Sequence, residues 1–290
     1  MVSRREFAGL VAAGAAAAGA AGTVLAGTAA AQTPPAAGAG GGETTFDRVM
    51  RTKKLRIGAV AGGEPYYHKD LASGQWSGFC IDMAKDLAAN FDSEPEILET
   101  TWGNQVLDLQ SGKIDIGFGL NPAPKRAFSV RFCRPLLNNS FTILAKKGFE
   151  AKSWSDLNSP NVKISVDIGS SHDVIAHRLC PNAQIIGFKT ADEATMAVQT
   201  GRADCQILVV ILSLTVLKKN PNLGKLIIPQ PVVLTTTNSG VRIEPDYRFR
   251  DFVDNWTDYN RGLGTIRDWV VSNLALVGVK PEDIPPEVVL

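Results

Sequence analysis

The feature that most constrains the fold is an alternation of short apolar strands with helices of apolar periodicity, which occurs twice along the chain. The pattern runs up to Ser140 and restarts after it. Repeated strand–helix units predict an α/β fold with a mostly parallel sheet, and two such units predict a bilobed protein with a cleft. The predicted strands are 55–60, 95–100, 114–119, 141–145, 162–166, 185–188 and 205–210, and the predicted helices are 79–88, 104–110, 169–179, 192–200, 249–260 and 265–274.

The N-terminal segment has the pattern of an export signal. Arg4 and Arg5 precede a long run of alanine and glycine that ends in three alanines. This pattern predicts a signal peptide of twin-arginine type over 1–31, with a flexible linker of Pro, Ala and Gly over 32–42. A retained transmembrane helix is the alternative, but its glycines make the run weakly apolar for a membrane span. We therefore expect an exported, soluble, periplasmic protein.

Charge and composition exclude several classes of protein. The chain has 30 basic and 29 acidic residues and no basic block. Nucleic-acid binding needs clustered Lys and Arg that displace counterions, so we expect no nucleic-acid partner. With 44% hydrophobic residues, a chain of 290 residues can bury a full core in one large or two small lobes.

The cysteines and histidines do not predict a metal site. The four cysteines are scattered without zinc-ligand spacing, at Cys80, Cys133, Cys180 and Cys205. An exported protein can form disulfides, so a Cys180–Cys205 pair and four buried thiols both stay open. His172 and His177 lie five residues apart, so one helix would not direct both at one ion. Pro122 stands where a dinucleotide fingerprint needs its third glycine, and we expect no cofactor.

Short motifs follow one another in a fixed order over 46–275. They are Leu55–Gly58, Trp76–Asp82, Leu109–Asp115, Pro124–Arg126, Phe132–Pro135, Gly169–Ser171, Thr200–Asp204 and Gly264–Ile266. Each is weak alone, but together they resemble the family 3 extracellular solute-binding proteins, the amino-acid receptors of ABC importers. The resemblance implies a periplasmic-binding-protein-like fold. Lobe 1 would comprise 43–139 and 235–290, and lobe 2 would comprise 140–234.

The resemblance also implies how such a protein works. Two hinge strands, near Asn138–Ser140 and Thr235–Thr237, would let the lobes close around a small ligand in the cleft. The closed form would then meet an ABC permease in the inner membrane, with the receptor acting as a monomer. A receptor fused to a signalling domain is not expected, because no membrane segment follows Leu290.

Two motifs of the resemblance indicate an anionic ligand. Arg126 stands where family members hold the ligand's carboxylate, a group that guanidinium binds with two hydrogen bonds; a surface arginine is the alternative. Ser170 and Ser171 follow Gly169 at a helix start, where backbone N–H groups attract an anion. An ordinary N-cap is the competing reading, and both can hold. Asn121 is also expected to bind the ligand.

Three further side chains are expected in the cleft because of the resemblance. Trp102 stands where the family often places an aromatic ring over the ligand's apolar stem, and Tyr66 lies in the first loop, which usually supplies another ring. His172 stands where relatives contact the variable end of the ligand. Burial of these rings in a core is the alternative reading.

The departures from the family pattern restrict the ligand. Family members usually hold the α-ammonium with an aspartate, and Val209 stands at that position; Val60 stands where an acid would bind cationic side chains. An ammonium buried without a partner would cost several kcal/mol or so. The ligand is therefore an organic acid without the amine, which we favour, or Glu64 substitutes as the partner of the ammonium.

Two other functional classes compete with a transport receptor. Some relatives are periplasmic enzymes such as cyclohexadienyl dehydratases, which need a catalytic acid in the cleft. Val209 removes the obvious acidic position, and His172 with the adjacent Asp173 is insufficient for acid–base chemistry. We therefore expect the chain not to be an enzyme and to have no catalytic residues. A free periplasmic accessory protein is the third class.

Overall fold

The computed structural model describes residues 42–284, so the predicted signal peptide and nearly all of the linker lie outside it. The helices are α1 (Thr45–Thr52), α2 (Phe79–Ala89), α3 (Gln105–Gln110), α4 (Trp154–Leu157), α5 (Ser171–Leu179), α6 (Ala191–Gln199), α7 (Val210–Lys219), α8 (Arg248–Gly262) and α9 (Thr265–Leu276). The strands are β1 (Lys54–Val60), β2 (His68–Lys69), β3 (Trp76–Ser77), β4 (Glu94–Thr100), β5 (Ile116–Leu120), β6 (Val130–Lys146), β7 (Lys163–Asp167), β8 (Gln184–Phe188), β9 (Cys205–Val209), β10 (Gly224–Ile227) and β11 (Leu234–Arg242).

Nine of these strands form one sheet with a strand order that separates two α/β lobes. The order is β4-β1-β5-β11-β6-β9-β7-β8, and β10 pairs with β6. In lobe 1, β1 lies parallel to β4 and β5, and in lobe 2, β7 lies parallel to β8 and β9. Helices cover both groups of strands, so each lobe buries an apolar core, as the fold class predicted.

Two long strands connect the lobes. β6 pairs with β11 over Val130–Ser140 and then continues into lobe 2, where Phe141–Ala145 pairs with β9. The predicted hinge segments, Asn138–Ser140 and Thr235–Thr237, lie opposite each other in this antiparallel pair. The lobe boundaries stay a prediction, but the chain crosses between the lobes along these strands.

The sheet is mixed, whereas the sequence predicted a mostly parallel one. All four ladders that involve β6 or β11 are antiparallel, because these two strands return through both lobes instead of belonging to one strand–helix unit. The sequence pattern did not predict α1, α4, α7, β10 or the first half of β6. In α7, a continuous apolar run extends the preceding strand pattern, so periodicity gives no sign of the change from strand to helix.

The structure distinguishes between a Cys180–Cys205 disulfide and four buried thiols, which the sequence left open. All four are buried free thiols, and the Cys180–Cys205 pair is not formed. Burial raises the pKa of the Cys180 thiol to about 11, so it stays protonated at neutral pH.

Among the described helices, none is long and apolar enough to cross a membrane.

Candidate ligand-binding cleft

A small pocket, here called the inner pocket, lies where the two lobes meet at the ends of their strands. Its volume is about 10 Å³ as space for the centre of a water-sized sphere, room for roughly one water molecule. The lobes must therefore separate before a ligand can enter. Lobe 1 contributes Tyr66, Trp102, Gly119, Leu120, Asn121 and Arg126, and lobe 2 contributes Ser171, His172, Val209 and Leu212.

Arg126 begins a short 3-10 helix after β5 and reaches across the cleft. Its guanidinium donates to the Asn121 carbonyl oxygen at 3.2 Å and to the Gly169 carbonyl oxygen, on the other lobe, at 2.7 Å. Burial lowers the pKa of Arg126, and the charge of Asp167 opposes this effect. Arginine nevertheless stays protonated in proteins, so the inner pocket contains a fixed positive charge.

The start of α5 meets the end of β5 at the same place. Ser171 Oγ donates to Asn121 Oδ1 at 2.9 Å, and Asn121 Nδ2 donates to Thr235 Oγ1 at 3.0 Å. Ser170 instead is the N-cap of α5 and accepts from the Asp173 backbone N–H. Ser171 and Asn121 thus line the inner pocket, whereas Ser170 is buried behind it.

The lobes touch through glycine at one point. Gly169 has a left-handed φ of 75° and packs against the Gly103 backbone of lobe 1. A Cβ at Gly103 would overlap the Ile168 carbonyl oxygen. The close approach of the two backbones therefore depends on residues without side chains.

The aromatic wall of the pocket belongs to lobe 1. Trp102 and Tyr66 meet edge to face, with ring centroids 5.6 Å apart. Gly119, with φ at 83°, lies under both rings, and a Cβ there would stand about 3 Å from each of them. Trp102 is 7% exposed, and its Nε1–H has no hydrogen-bond acceptor within residues 42–284. Burial of Trp N–H groups without a partner is unusual.

His172 is hydrogen-bonded to Asp167 and not to the adjacent Asp173. Its Nδ1 lies 2.8 Å from Asp167 Oδ1, and both side chains are 4% exposed. Asp173 instead accepts from the Gly169 backbone N–H. Burial alone would raise the pKa of Asp167, but His172 and hydrogen bonds outweigh it, so the pKa lies below its ordinary value. Asp167 is thus a carboxylate, and His172 Nδ1 carries the proton between them.

The three residues on which ammonium binding depends, Val209, Val60 and Glu64, do not all lie in the inner pocket. Val209, the last residue of β9, lines the inner pocket. Val60 is buried at the end of β1 but does not line it. Glu64 also lies outside the pocket and contacts both Lys219 of α7 and His68.

Glu64 belongs to a second, larger space on the opposite side of Leu212, here called the outer cleft. This space has a volume of about 400 Å³ and includes four charged residues, Glu64, Lys69, Asp192 and Lys219. The Glu64–Lys219 pair joins the first loop of lobe 1 to α7 of lobe 2. Glu64 is therefore paired with Lys219 at the mouth of the cleft and does not line the pocket that Val209 lines.

Six of the seven predicted site residues line the inner pocket, namely Arg126, Ser171, Trp102, Asn121, Tyr66 and His172. Sequence reasoning missed Gly119, Leu120 and Leu212. Gly119 carried a signal, because a glycine at the end of a predicted strand often marks close packing. Leu212 carried none, since it lies in the unpredicted helix α7.

This chain is similar to amino-acid-binding proteins and to an enzyme. The arginine-binding protein 1 of an Escherichia coli K12 ABC transporter is 26% identical over 199 residues, which cover 67% of this chain and 79% of that protein. The crystal structure of the ancestral amino-acid-binding protein AncCDT-1, a precursor of cyclohexadienyl dehydratase, is 30% identical and matches with a TM-score of 0.70, covering 78% of this chain and 97% of that one.

The prediction that the chain is not an enzyme is overturned. Cyclohexadienyl dehydratase of Pseudomonas aeruginosa PAO1 is 22% identical over 228 residues, 78% of this chain and 84% of that protein. The prediction considered His172 only with Asp173 and missed the buried Asp167 beside it.

The family itself is shown by a match over more than half of the chain. The model for bacterial extracellular solute-binding proteins, family 3, matches residues 55–228. The bilobed α/β architecture and the cleft between the lobes agree with that match. This chain belongs to family 3 of the bacterial extracellular solute-binding proteins.

Proposed function

We propose that this protein is a periplasmic receptor that binds a small carboxylate without an α-amine and presents it to an ABC permease. The observation that carries the proposal is the charge of the inner pocket: a guanidinium lines it, and none of its described lining residues is acidic. A pocket with one cationic group and apolar walls favours a ligand with one anionic end and an apolar stem.

The carboxylate would bind Arg126. Guanidinium presents paired donors that match the two oxygens of a carboxylate, and the pocket around it excludes most solvent. The start of α5 lies beside it, so its free N–H groups add a favourable field for an anion. Ser171 would turn from Asn121 to the ligand when the lobes close around it.

An α-ammonium would lack a partner. Val209 presents only methyl groups, and Glu64 is paired with Lys219 outside the inner pocket. The carbonyl oxygens of Asn121 and Gly169 already accept from Arg126. Burying an unpaired ammonium costs several kcal/mol or so, which disfavours α-amino acids relative to their deaminated counterparts.

Thermal stability measures this preference directly. The purified protein would be screened against pairs that each contain an L-amino acid and its deaminated acid, because a ligand that binds the folded state raises Tm. We expect larger shifts with the deaminated acids. Larger shifts with the amino acids would contradict the proposal. The absence of a shift with either set would favour an accessory protein that works through a protein partner.

A second candidate function is a lyase or dehydratase reaction in the same cleft. The observation that favours it is the buried Asp167–His172 pair, whose imidazole lines the pocket. In a dehydration, the C–O bond breaks, the departing hydroxyl takes a proton, and a neighbouring C–H or C–carboxylate bond supplies the electrons. A protonated His172 can donate that proton as a general acid.

The two functions differ in what happens to the ligand. Hydroxy acids that shift Tm would be incubated with the protein and followed by NMR. Product formation that His172→Gln abolishes, while Tm shifts persist, would favour the enzyme. Recovery of unchanged ligand at stoichiometric protein concentration would favour the receptor.

A further inference from the structure

The inner pocket contains a hydrogen-bond donor that its protein surroundings do not use. The Nε1–H of Trp102 is buried and has no acceptor in the described part of the chain. The two other tryptophans that are buried in the described residues, Trp154 and Trp256, donate to the Pro231 carbonyl oxygen and to Asp86. An unsatisfied buried donor normally destabilises the folded state. Trp102 is thus the exception, and it lies in the pocket wall.

Packing fixes the orientation of this indole. Gly63 and Gly119 admit its six-membered ring on the lobe 1 side, where a Cβ on either glycine would stand 3.1–3.2 Å from ring carbons. Tyr66 and Tyr67 hold it from the side, with centroids 5.6 and 5.9 Å away. A ring clamped in this way cannot turn its N–H toward solvent without repacking the aromatic cluster.

The opposite lobe adds a second polar group to the same space. Asp167 binds His172 Nδ1, and no hydrogen bond from His172 Nε2 is formed within residues 42–284. Asn121 and Ser171, in contrast, are hydrogen-bonded to each other. The Trp102 N–H is therefore a donor that stays available beside Arg126.

We propose that the ligand carries a second oxygen acceptor besides the carboxylate, a carbonyl or a second carboxylate, which accepts from Trp102 Nε1–H. This inference rests on the proposed binding of a carboxylate by Arg126. The proposed class of ligand is thereby restricted from organic acids in general to oxo acids or dicarboxylic acids. Trp102 becomes a specificity-determining residue and not only an apolar wall.

Calorimetric titration with matched acids tests the second oxygen. 4-Methyl-2-oxopentanoate and 4-methylpentanoate differ only by the carbonyl oxygen, and pentanedioate and pentanoate differ by a carboxylate. We expect the acid with the extra oxygen to bind about three- to ten-fold more tightly in at least one pair, the range for one hydrogen bond. The pair that shows the preference identifies which oxygen-bearing group is bound.

Trp102→Phe keeps an aromatic ring and removes the N–H, so the preference within that pair should fall to about one. Tyr67→Phe is the matched control: Tyr67 packs against Trp102 and donates to the Phe118 carbonyl oxygen, but does not line the pocket. It should keep the preference. A general packing defect would weaken both acids equally and leave their ratio unchanged.

The wild-type protein gives an independent measurement should Trp102→Phe fail to fold. The chain has five tryptophans, so the indole N–H resonance of Trp102 can be assigned by triple-resonance NMR. It should move downfield with the acid that carries the extra oxygen and not with its partner. Equal affinities in both pairs, or an unmoved Trp102 resonance, would overturn the proposed second oxygen acceptor. Neither result would contradict the binding of a carboxylate by Arg126. Failure of all four acids to bind would overturn the proposed function as well.

Discussion

The inner pocket and the outer cleft lie side by side between the same two lobes, yet they differ in charge. The inner pocket has one cation, Arg126, with aromatic and aliphatic walls. The outer cleft has two acids and two lysines around a much larger space. Leu212 lines both and separates them.

This difference indicates that an acid must stand at the right position, and not merely be present in the chain, to bind the ligand's ammonium. The acid that could hold an ammonium is present in this chain as Glu64, but it is paired with Lys219 at the mouth of the cleft. The position beside the ligand is Val209. Glu64 at the mouth pairs with the opposite lobe, whereas an acid at the end of β9 would face the ligand.

The largest expected effect comes from removing the charge of the inner pocket. Arg126→Ala should weaken carboxylate binding by about 1.5–3 kcal/mol, the range for a lost hydrogen bond to a charged group, which is roughly 10- to 150-fold in Kd. Arg134→Ala is the matched control, because Arg134 is exposed and binds Asp258 outside both spaces. Unchanged affinity of Arg126→Ala in a calorimetric titration would remove Arg126 from the site.

A smaller effect should follow from giving the inner pocket the acid that it lacks. Val209→Asp should raise the affinity for α-amino acids relative to their deaminated acids by about ten-fold, since a charged hydrogen bond becomes available to the ammonium. Val209→Asn has a similar shape without the charge and should change the ratio much less. If the ratio stays constant in Val209→Asp, the placement of Val209 beside the α-carbon is wrong.

Much of the inner pocket could be predicted from the sequence because its residues lie at the ends of strands. Arg126, Asn121 and Ser171 follow β5 and β7 within short distances along the chain, and in α/β sheets such ends meet at the ligand site. A motif that places a residue at the end of a strand therefore also predicts that the residue lies at the ligand site.

The rest depends on contacts that no local pattern reveals. Asp167 reaches His172 only because the turn at Gly169 adopts a positive φ and brings the end of β7 under the first turn of α5. Glu64 and Lys219 are far apart in the chain and meet across the two lobes. A single sequence contains the residue types but not these distances.

The smallest expected effect concerns the outer cleft. Glu64 is 12% exposed and Lys219 is half exposed, and partly solvated ion pairs contribute about 0.2–1 kcal/mol. Burial lowers the pKa of Lys219, so desolvation on closure offsets part of the attraction. Glu64→Gln should therefore raise Kd only about two- to five-fold.

This change should be the same for every ligand, because the pair stabilises the closed form without touching the inner pocket. The ratio between amino acids and deaminated acids should stay at its wild-type value, in contrast to Val209→Asp. Lys219→Met should reproduce the effect, and the double variant should add little, since both substitutions remove one interaction. A shift of the ratio in Glu64→Gln, measured by the same titrations, would mean that Glu64 reaches the ligand and that the two spaces act as one site.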